Sequence, residues 1–153
     1  MLRQKKLKKS VLIVPAGISN ALPISSVKMM IPLLQYRMTK KKKYLIKTAL
    51  FMALHEDVLD EDTLDTVKDS FDNVKTKVGM PTNIEEQKLS GYHSPTLVIA
   101  SEKDCLFPAK KVLARAKQIF TDCRIYELKE SGHMHILPPS IKNTIVEFLK
   151  ESS

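Results

Sequence analysis

The sequence predicts an α/β fold in which short parallel strands alternate with helices. Three short runs predict strands: VLIV at 11–14, TLVIA at 96–100 and RIYEL at 124–128. VLIV is apolar throughout and TLVIA is apolar after Thr96, which is typical of parallel strands that are buried on both faces. Apolar residues elsewhere recur at the spacing of a helix, which favours crossover helices between the strands. We therefore expect a parallel sheet of about three strands with flanking helices.

Two helical regions separate the first predicted strand from the second. Residues 24–54 predict an interrupted helix, because Pro32 breaks or kinks its first part. Apolar residues then recur at helical spacing over 64–78, and Gly79 ends that helix. After the second strand, a proline at the first helical position predicts a helix over 108–120. A last helix at 139–151 has four apolar residues on one face: Ile141, Ile145, Val146 and Leu149.

The length and the cysteine content indicate one intracellular domain. A chain of 153 residues has the length of a single domain, and no apolar run approaches the roughly 20 residues of a membrane-spanning helix. Cys105 and Cys123 do not have the spacing of a metal site, and no secretory signal accompanies them. We therefore expect a cytoplasmic protein with reduced thiols, and the sequence predicts neither a metal nor a cofactor.

The positive charge is concentrated in the first third of the chain. Residues 1–55 contain twelve Lys or Arg and no Asp or Glu, whereas the remainder contains thirteen basic and seventeen acidic residues. The basic and partly apolar segment 24–54, with KKKK at 40–43, is typical of an amphipathic helix on an anionic membrane or lipid. The favoured interpretation of KKKK is nevertheless a solvated helix face. Nucleic-acid binding is disfavoured, because the lysines are not interleaved with aromatic residues.

The loops after the second and third predicted strands carry an acid and a histidine. Asp104 follows TLVIA, and His133 follows RIYEL and lies 29 residues after Asp104. Parallel α/β sheets bind and react at the carboxyl ends of their strands. A carboxylate that accepts from an imidazole fixes its tautomer and stabilises the imidazolium, as in a nucleophilic triad. We therefore expect the side chains of Asp104 and His133 to meet at one edge of the sheet.

The same two loops resemble those of a known superfamily. PTLVIASEKDCLFP at 95–108 and ESGHMHIL at 130–137 are similar to the acid loop and the histidine loop of the α/β-hydrolases. VLIVPAGIS at 11–19 resembles the strand that follows the nucleophile helix in that family, and residues 20–90 resemble its helical lid.

The resemblance implies a fold and two site residues. The fold is the carboxyl-terminal portion of a parallel α/β-hydrolase sheet, with flanking helices and a helical lid insertion. The core would comprise residues 1–19 and 91–153, and the lid would comprise residues 20–90. Asp104 would be the triad acid and His133 the general base.

The sequence departs from the family pattern at two points. Ser101 stands where the family often has a glycine, which affects the geometry of the acid loop. More importantly, the nucleophile motif G-x-S-x-G is absent, since no two of the four glycines are separated by four residues. In the family the nucleophile precedes the acid and the histidine. We therefore expect the carboxyl-terminal fragment of a serine-type hydrolase that acts on acyl esters or related compounds. The fragment alone should be inactive. It should bind its small-molecule substrate only when the upstream half completes it.

Several side chains offer alternative interpretations of the site. His135 is a rival base, and Cys105 is a conceivable nucleophile, although the neighbouring carboxylate disfavours its thiolate. Asp104 is also compatible with an acid at a helix entry, and His133 with an ordinary turn histidine. The two remaining histidines are interpreted as structural: His55 and His93.

The strand at 11–14 is expected to be a site of association. The similar strand of the family is central in its sheet, so the loss of one neighbour leaves unpaired backbone N–H and C=O groups. Apolar faces at Leu12 and Leu97 would be exposed at the same time. We therefore expect a homo-oligomer through strand 11–14, or a chain that requires its upstream half.

Overall fold

Three parallel strands form the sheet of the protein. The structure is a computed structural model, which describes residues 7–20, 23–73 and 81–151, without the side chains of residues 23–26. The strands are β1 (Ser10–Ile13), β2 (Thr96–Ser101) and β3 (Cys123–Leu128). Their spatial order is β1-β2-β3. The predicted strands, their parallel direction and their order are confirmed.

The strand register brings two loops together. Thr96 of β2 lies opposite Cys123 of β3 at the start of the two strands, and Ser101 lies opposite Leu128 at their end. Every residue of β2 is buried, which explains the uninterrupted apolar run in the sequence. Because β2 and β3 end at the same level, the loops that follow them begin side by side.

The described parts of the chain contain five α-helices, three between β1 and β2, one between β2 and β3, and one after β3. The helices are α1 (Pro23–Thr39), α2 (Lys42–Ala53), α3 (Glu61–Asn73), α4 (Ala109–Ile119) and α5 (Pro139–Lys150). Short 3-10 helices occupy Glu56–Val58 and Glu86–Leu89. The predicted end of α3 at Gly79 lies outside the described residues. Within the described ranges, no helix has both the length and the apolar character required to cross a bilayer.

Helix α1 is not broken at Pro32, which corrects one prediction. A proline inside a helix removes a backbone hydrogen bond but does not end the helix when packing holds the flanking turns. Pro32 is buried, and α1 continues past it to Thr39. The interruption lies at Lys40, which has a φ of 54° and separates α1 from α2.

Apolar side chains cover both faces of the sheet. On one face, Val98 of β2 packs in a cluster with Val112 and Ala116 of α4. On the other face, Leu97 of β2 packs with Phe148 of α5. Ile84 and Leu89, which precede β2, also pack against the first cluster.

The buried face of α5 differs from the predicted one. Ile141 and Phe148 are buried and Ile145 packs against them, whereas Val146 and Leu149 are exposed. The four predicted residues span too wide an arc for one contact with a flat sheet. The residues that face the sheet are instead spaced by four and then three positions, which keeps them on one narrow face.

The helices α1 to α3 form a cluster of their own. Tyr36, Leu45, Ala49 and Val67 are its buried members, and Met134 from the loop after β3 packs against it. The predicted division into a core of 1–19 and 91–153 and a lid of 20–90 stays a prediction. β1 lies at one edge of the described sheet, and the association expected through 11–14 likewise stays a prediction.

Candidate active site

Asp104 and His133 form a hydrogen-bonded pair at the carboxyl ends of β2 and β3. Nδ1 of His133 lies 3.0 Å from Oδ2 of Asp104, as the strand order requires. An ionised carboxylate can only accept, so Nδ1 is the donor and Nε2 is left as the acceptor of the neutral ring. The Asp104 side chain is completely buried, whereas that of His133 is 25% exposed. The pair therefore presents one basic nitrogen on a ring that solvent still reaches.

The second oxygen of Asp104 is held by its own loop. Oδ1 accepts from the backbone N–H of Leu106 at 2.7 Å and of Phe107 at 2.9 Å. These bonds compensate for burying the carboxylate. Both donors precede α4, which begins at Ala109, so Asp104 orders the acid loop and does not cap the helix.

The acid loop and the histidine loop are joined by backbone hydrogen bonds. The N–H of Glu102 donates to the carbonyl of Leu128, and the N–H of Lys103 donates to the carbonyl of Ser131, both at 2.9 Å. The Glu102 carboxylate accepts from the N–H of Glu130 at 3.1 Å, and this bond is the main reason why the pKa of Glu102 is lowered. The two loops consequently hold Asp104 and His133 in one rigid arrangement.

The carboxyl-terminal end of α2 is packed against the histidine loop. The N–H of Met134 donates to the carbonyl of Met52 at 3.1 Å, and Nε2 of His55 donates to the carbonyl of Glu130 at 2.9 Å. Gly132 is buried between them, and a Cβ on it would overlap the carbonyl of Met52. The structural interpretation of His55 agrees with this contact. Residues on both sides of His133 are thus anchored to the helical region.

A phenylalanine covers one side of the imidazole. The ring centroids of Phe107 and His133 are 5.6 Å apart with an interplanar angle of 58°, and Phe107 is buried. The sequence did not indicate this contact or the contact with α2. Gly132, immediately before His133, is the one signal in the sequence for the contact with α2, because a glycine often marks a place where another backbone segment approaches closely.

The rival base has a different environment. Nδ1 of His135 lies 3.2 Å from the carbonyl oxygen of His133 and 3.4 Å from Oγ of Ser101. Neither neighbour is a carboxylate, so among the described residues His135 lacks the orienting acid that His133 has. Ser101 is buried beneath it, and His93 is exposed elsewhere. In the described ranges, no group of three or more His, Cys, Asp or Glu side chains is arranged to hold a metal ion.

Cys105 is a poor candidate for a nucleophile. Burial, and secondly the charge of Asp104, raise the pKa of its thiol to about 11. Burial also raises the pKa of Cys123, which is only half-buried. The nucleophilic species of a cysteine is the thiolate, so Cys105 is unreactive near neutral pH.

The raised pKa of Cys105 predicts that its thiol is alkylated slowly. At pH 8, iodoacetamide should modify Cys105 in the folded chain roughly 100-fold more slowly than in urea, because few molecules carry the thiolate. The rate should rise as the pH approaches the elevated pKa. Mass spectrometry of the resulting peptides measures both cysteines, and Cys123 serves as the internal control. Equally rapid modification of Cys105 in the folded and unfolded chain would contradict the burial.

The chain resembles known proteins in its structure. No family model matches the sequence, and no curated protein is significantly similar to it. Carboxylesterase CesB from Bacillus subtilis has a TM-score of 0.72 and 16% identity, over 95% of this chain and 52% of that chain. Naproxen esterase from Bacillus subtilis has a TM-score of 0.68 and 19% identity, over 94% of this chain and 51% of that chain. The chain has the α/β-hydrolase fold.

The match to the α/β-hydrolase fold extends to other members. The 2-hydroxy-6-oxo-6-phenylhexa-2,4-dienoate hydrolase from Rhodococcus sp. strain RHA1 has a TM-score of 0.64 and 15% identity, over 94% of this chain and 56% of that chain. The chain thus spans about half the length of the solved structures it matches. The architecture corresponds to the carboxyl-terminal portion of the α/β-hydrolase fold, as the sequence predicts.

Proposed function

We propose that Asp104 and His133 are the acid and the general base of a serine-type hydrolase. The nucleophile would come from a segment outside these 153 residues, because the sequence contains no G-x-S-x-G. The observation that carries the proposal is the 3.0 Å bond from Nδ1 of His133 to the buried carboxylate of Asp104. The structural neighbours support the class of reaction, since two of them are named as esterases.

The proposed mechanism uses Nε2 of His133 as a proton carrier. Nε2 takes the proton of a serine hydroxyl as the serine oxygen attacks the acyl carbon of an ester, and the resulting imidazolium then protonates the leaving alcohol. In the second half of the reaction, water attacks the acyl-serine and gives its proton to Nε2 of His133, and the imidazolium then returns a proton to the departing serine oxygen. The charge on Asp104 stabilises the imidazolium in both steps, and the bonds from Leu106 and Phe107 hold that carboxylate in place.

The proposal can be tested by supplying the nucleophile. Alone, the chain should hydrolyse p-nitrophenyl acetate at the background rate, and a fluorophosphonate should label none of its serines. Expression together with the residues encoded upstream of Met1 should produce a labelled serine in those residues and ester hydrolysis that requires His133. Loss of a triad member reduces the rate by roughly 10⁴-fold or more, so the contrast is large.

Two results would count against the proposal. Labelling of a serine within the 153 residues, abolished by His133→Ala, would mean that the chain contains its own nucleophile. An active, completed protein whose activity survives His133→Ala would remove His133 from the mechanism. The variant His135→Ala serves as the matched control, because His135 is also in the histidine loop but does not contact Asp104.

A further inference from the structure

Helix α1 has two apolar faces, and the described residues cover only one of them. Leu33 and Tyr36 are buried, and Tyr36 belongs to the cluster with α2 and α3. On the opposite side, four apolar side chains are each at least 52% exposed: Val27, Ile31, Leu34 and Met38. A surface helix normally has one apolar stripe, which faces the core, and polar residues on the opposite face. The exposed face of α1 is therefore expected to have a partner.

The four exposed side chains form one continuous row, which we call the α1 ridge. They are separated by four, three and four residues, so at 100° per residue they lie within an arc of roughly 60°. Single exposed apolar residues are common on protein surfaces. A contiguous row along a helix is unusual and marks a surface that binds another apolar phase.

Exposed lysines accompany the α1 ridge along the chain. Lys28 lies in the same helix, and Lys41, Lys42 and Lys43 follow directly after it, all exposed. In the described ranges none of these four lysines forms an ion pair, whereas the neighbouring Lys40 is paired with Asp72 at 2.6 Å. No acidic residue occurs between residues 1 and 55. Lys42 lines a pocket together with Tyr36 and Asp65, on the side of α1 opposite the ridge, whereas Lys28 and Lys41 carry positive charge for which the described residues form no ion pair.

We propose that the α1 ridge binds the surface of an anionic phospholipid bilayer. An apolar row flanked by lysines is the arrangement by which a helix lies in the membrane interface, with the apolar side chains inserted and the ammonium groups at the phosphates. The opposite face of α1 is packed against protein through Tyr36, so only the ridge enters the lipid. A protein partner would satisfy the apolar row equally well, but the unneutralised lysines favour an anionic surface.

The first experiment tests whether the side chains of the α1 ridge insert into a bilayer. The full chain should co-sediment with vesicles of phosphatidylcholine and phosphatidylserine, and much less with phosphatidylcholine alone. The double variant Ile31→Asp/Leu34→Asp should weaken binding to the anionic vesicles roughly tenfold or more. The control is Val146→Asp/Leu149→Asp, which introduces the same charges at exposed apolar residues of α5. Circular dichroism checks that both variants remain folded.

The second experiment tests whether binding depends on the lysines next to α1 or only on the net charge of the chain. Replacing Lys41, Lys42 and Lys43 by Gln should weaken binding by about fivefold for each lysine, and therefore roughly 100-fold in total. The control replaces three exposed lysines elsewhere, namely Lys110, Lys142 and Lys150, and leaves the same net charge. Added salt should weaken binding of the wild type.

Several results would overturn the proposal. The first is that the chain binds neutral and anionic vesicles equally well. The second is that the two lysine variants lose vesicle binding to the same extent. The third is that Ile31→Asp/Leu34→Asp binds anionic vesicles as well as the wild type does. If Ile31→Asp/Leu34→Asp instead converts an oligomer to a monomer in light scattering and leaves vesicle binding intact, the ridge is a contact between copies of the chain. Loss of vesicle binding in the ridge variant and not in the α5 control supports it.

Discussion

Asp104→Asn should lower the esterase activity proposed for the completed protein by roughly 10⁴-fold while the chain remains folded. The Oδ1 atom of asparagine still accepts from the N–H groups of Leu106 and Phe107, so the acid loop keeps its hydrogen bonds. The Nδ2 group, however, replaces Oδ2 and is a donor. Nδ1 of His133 must then accept, and the ring proton moves to Nε2, where it prevents the ring from taking a proton from the nucleophile.

Two measurements distinguish this tautomer effect from a loss of structure. The kcat/KM of the completed enzyme should fall while the urea midpoint of unfolding changes little. In the 153-residue chain alone, ¹⁵N chemical shifts of the imidazole should show the proton on Nδ1 in the wild type and on Nε2 in Asp104→Asn. Activity within tenfold of wild type, with the proton still on Nδ1, would contradict the assigned role of Asp104.

Asp104→Ala is the matched comparison for the same residue. It removes both oxygens, so the N–H groups of Leu106 and Phe107 lose their acceptor in a buried loop. An unsatisfied buried donor costs about 1–3 kcal/mol, and the free energy of unfolding should fall by an amount in this range or slightly above it. Asparagine and alanine at residue 104 should therefore be similar in activity and different in stability.

Gly132→Ala should lower the free energy of unfolding by about 3 kcal/mol or more. The added Cβ would lie 2.7 Å from the carbonyl oxygen of Ala53 and still nearer to that of Met52. Both atoms belong to the backbone at the end of α2, so no side-chain rotation can relieve the overlap. Overpacking of a buried site typically costs about 1–3 kcal/mol, and a clash with fixed backbone belongs at the upper end.

Gly91→Ala provides the control for this substitution. No other atom lies within 4 Å of a Cβ at Gly91, and its φ is not positive, so its stability should change by less than about 0.5 kcal/mol. Hydrogen exchange of the Met134 amide should also be faster in Gly132→Ala, because its bond to Met52 is strained. Equal stability of the two variants would contradict the close contact between α2 and the histidine loop.

The sheet and the acid–histidine pair were predictable because their signals are local. A strand that is buried on both faces, such as β2, has an apolar run that ends at a turn, and the residue after the turn is placed at the sheet edge. Asp104 and His133 follow two strands that turn out to be neighbours in register. Their proximity therefore follows from the order of the strands and requires no knowledge of side-chain packing.

The rest of the site depends on contacts between segments that are far apart in the chain. Phe107 lies over His133, and Gly132 fits against Met52, for reasons that the local sequence does not contain. The same limit applies to the helices. Whether Pro32 ends α1 depends on what packs around it, and which apolar residues of α5 are buried depends on the shape of the sheet.

The attachment of α2 to the histidine loop would make the two proposed binding events interdependent. One end of the helical cluster includes Tyr36 of α1, opposite the exposed row, and the other includes Met134, next to His133. A ligand that changes how α1 packs on α2 would therefore change the energy of the histidine loop. Linkage requires the effect to be reciprocal, so an acyl substrate held at His133 would alter the affinity of α1 for its own ligand by the same factor.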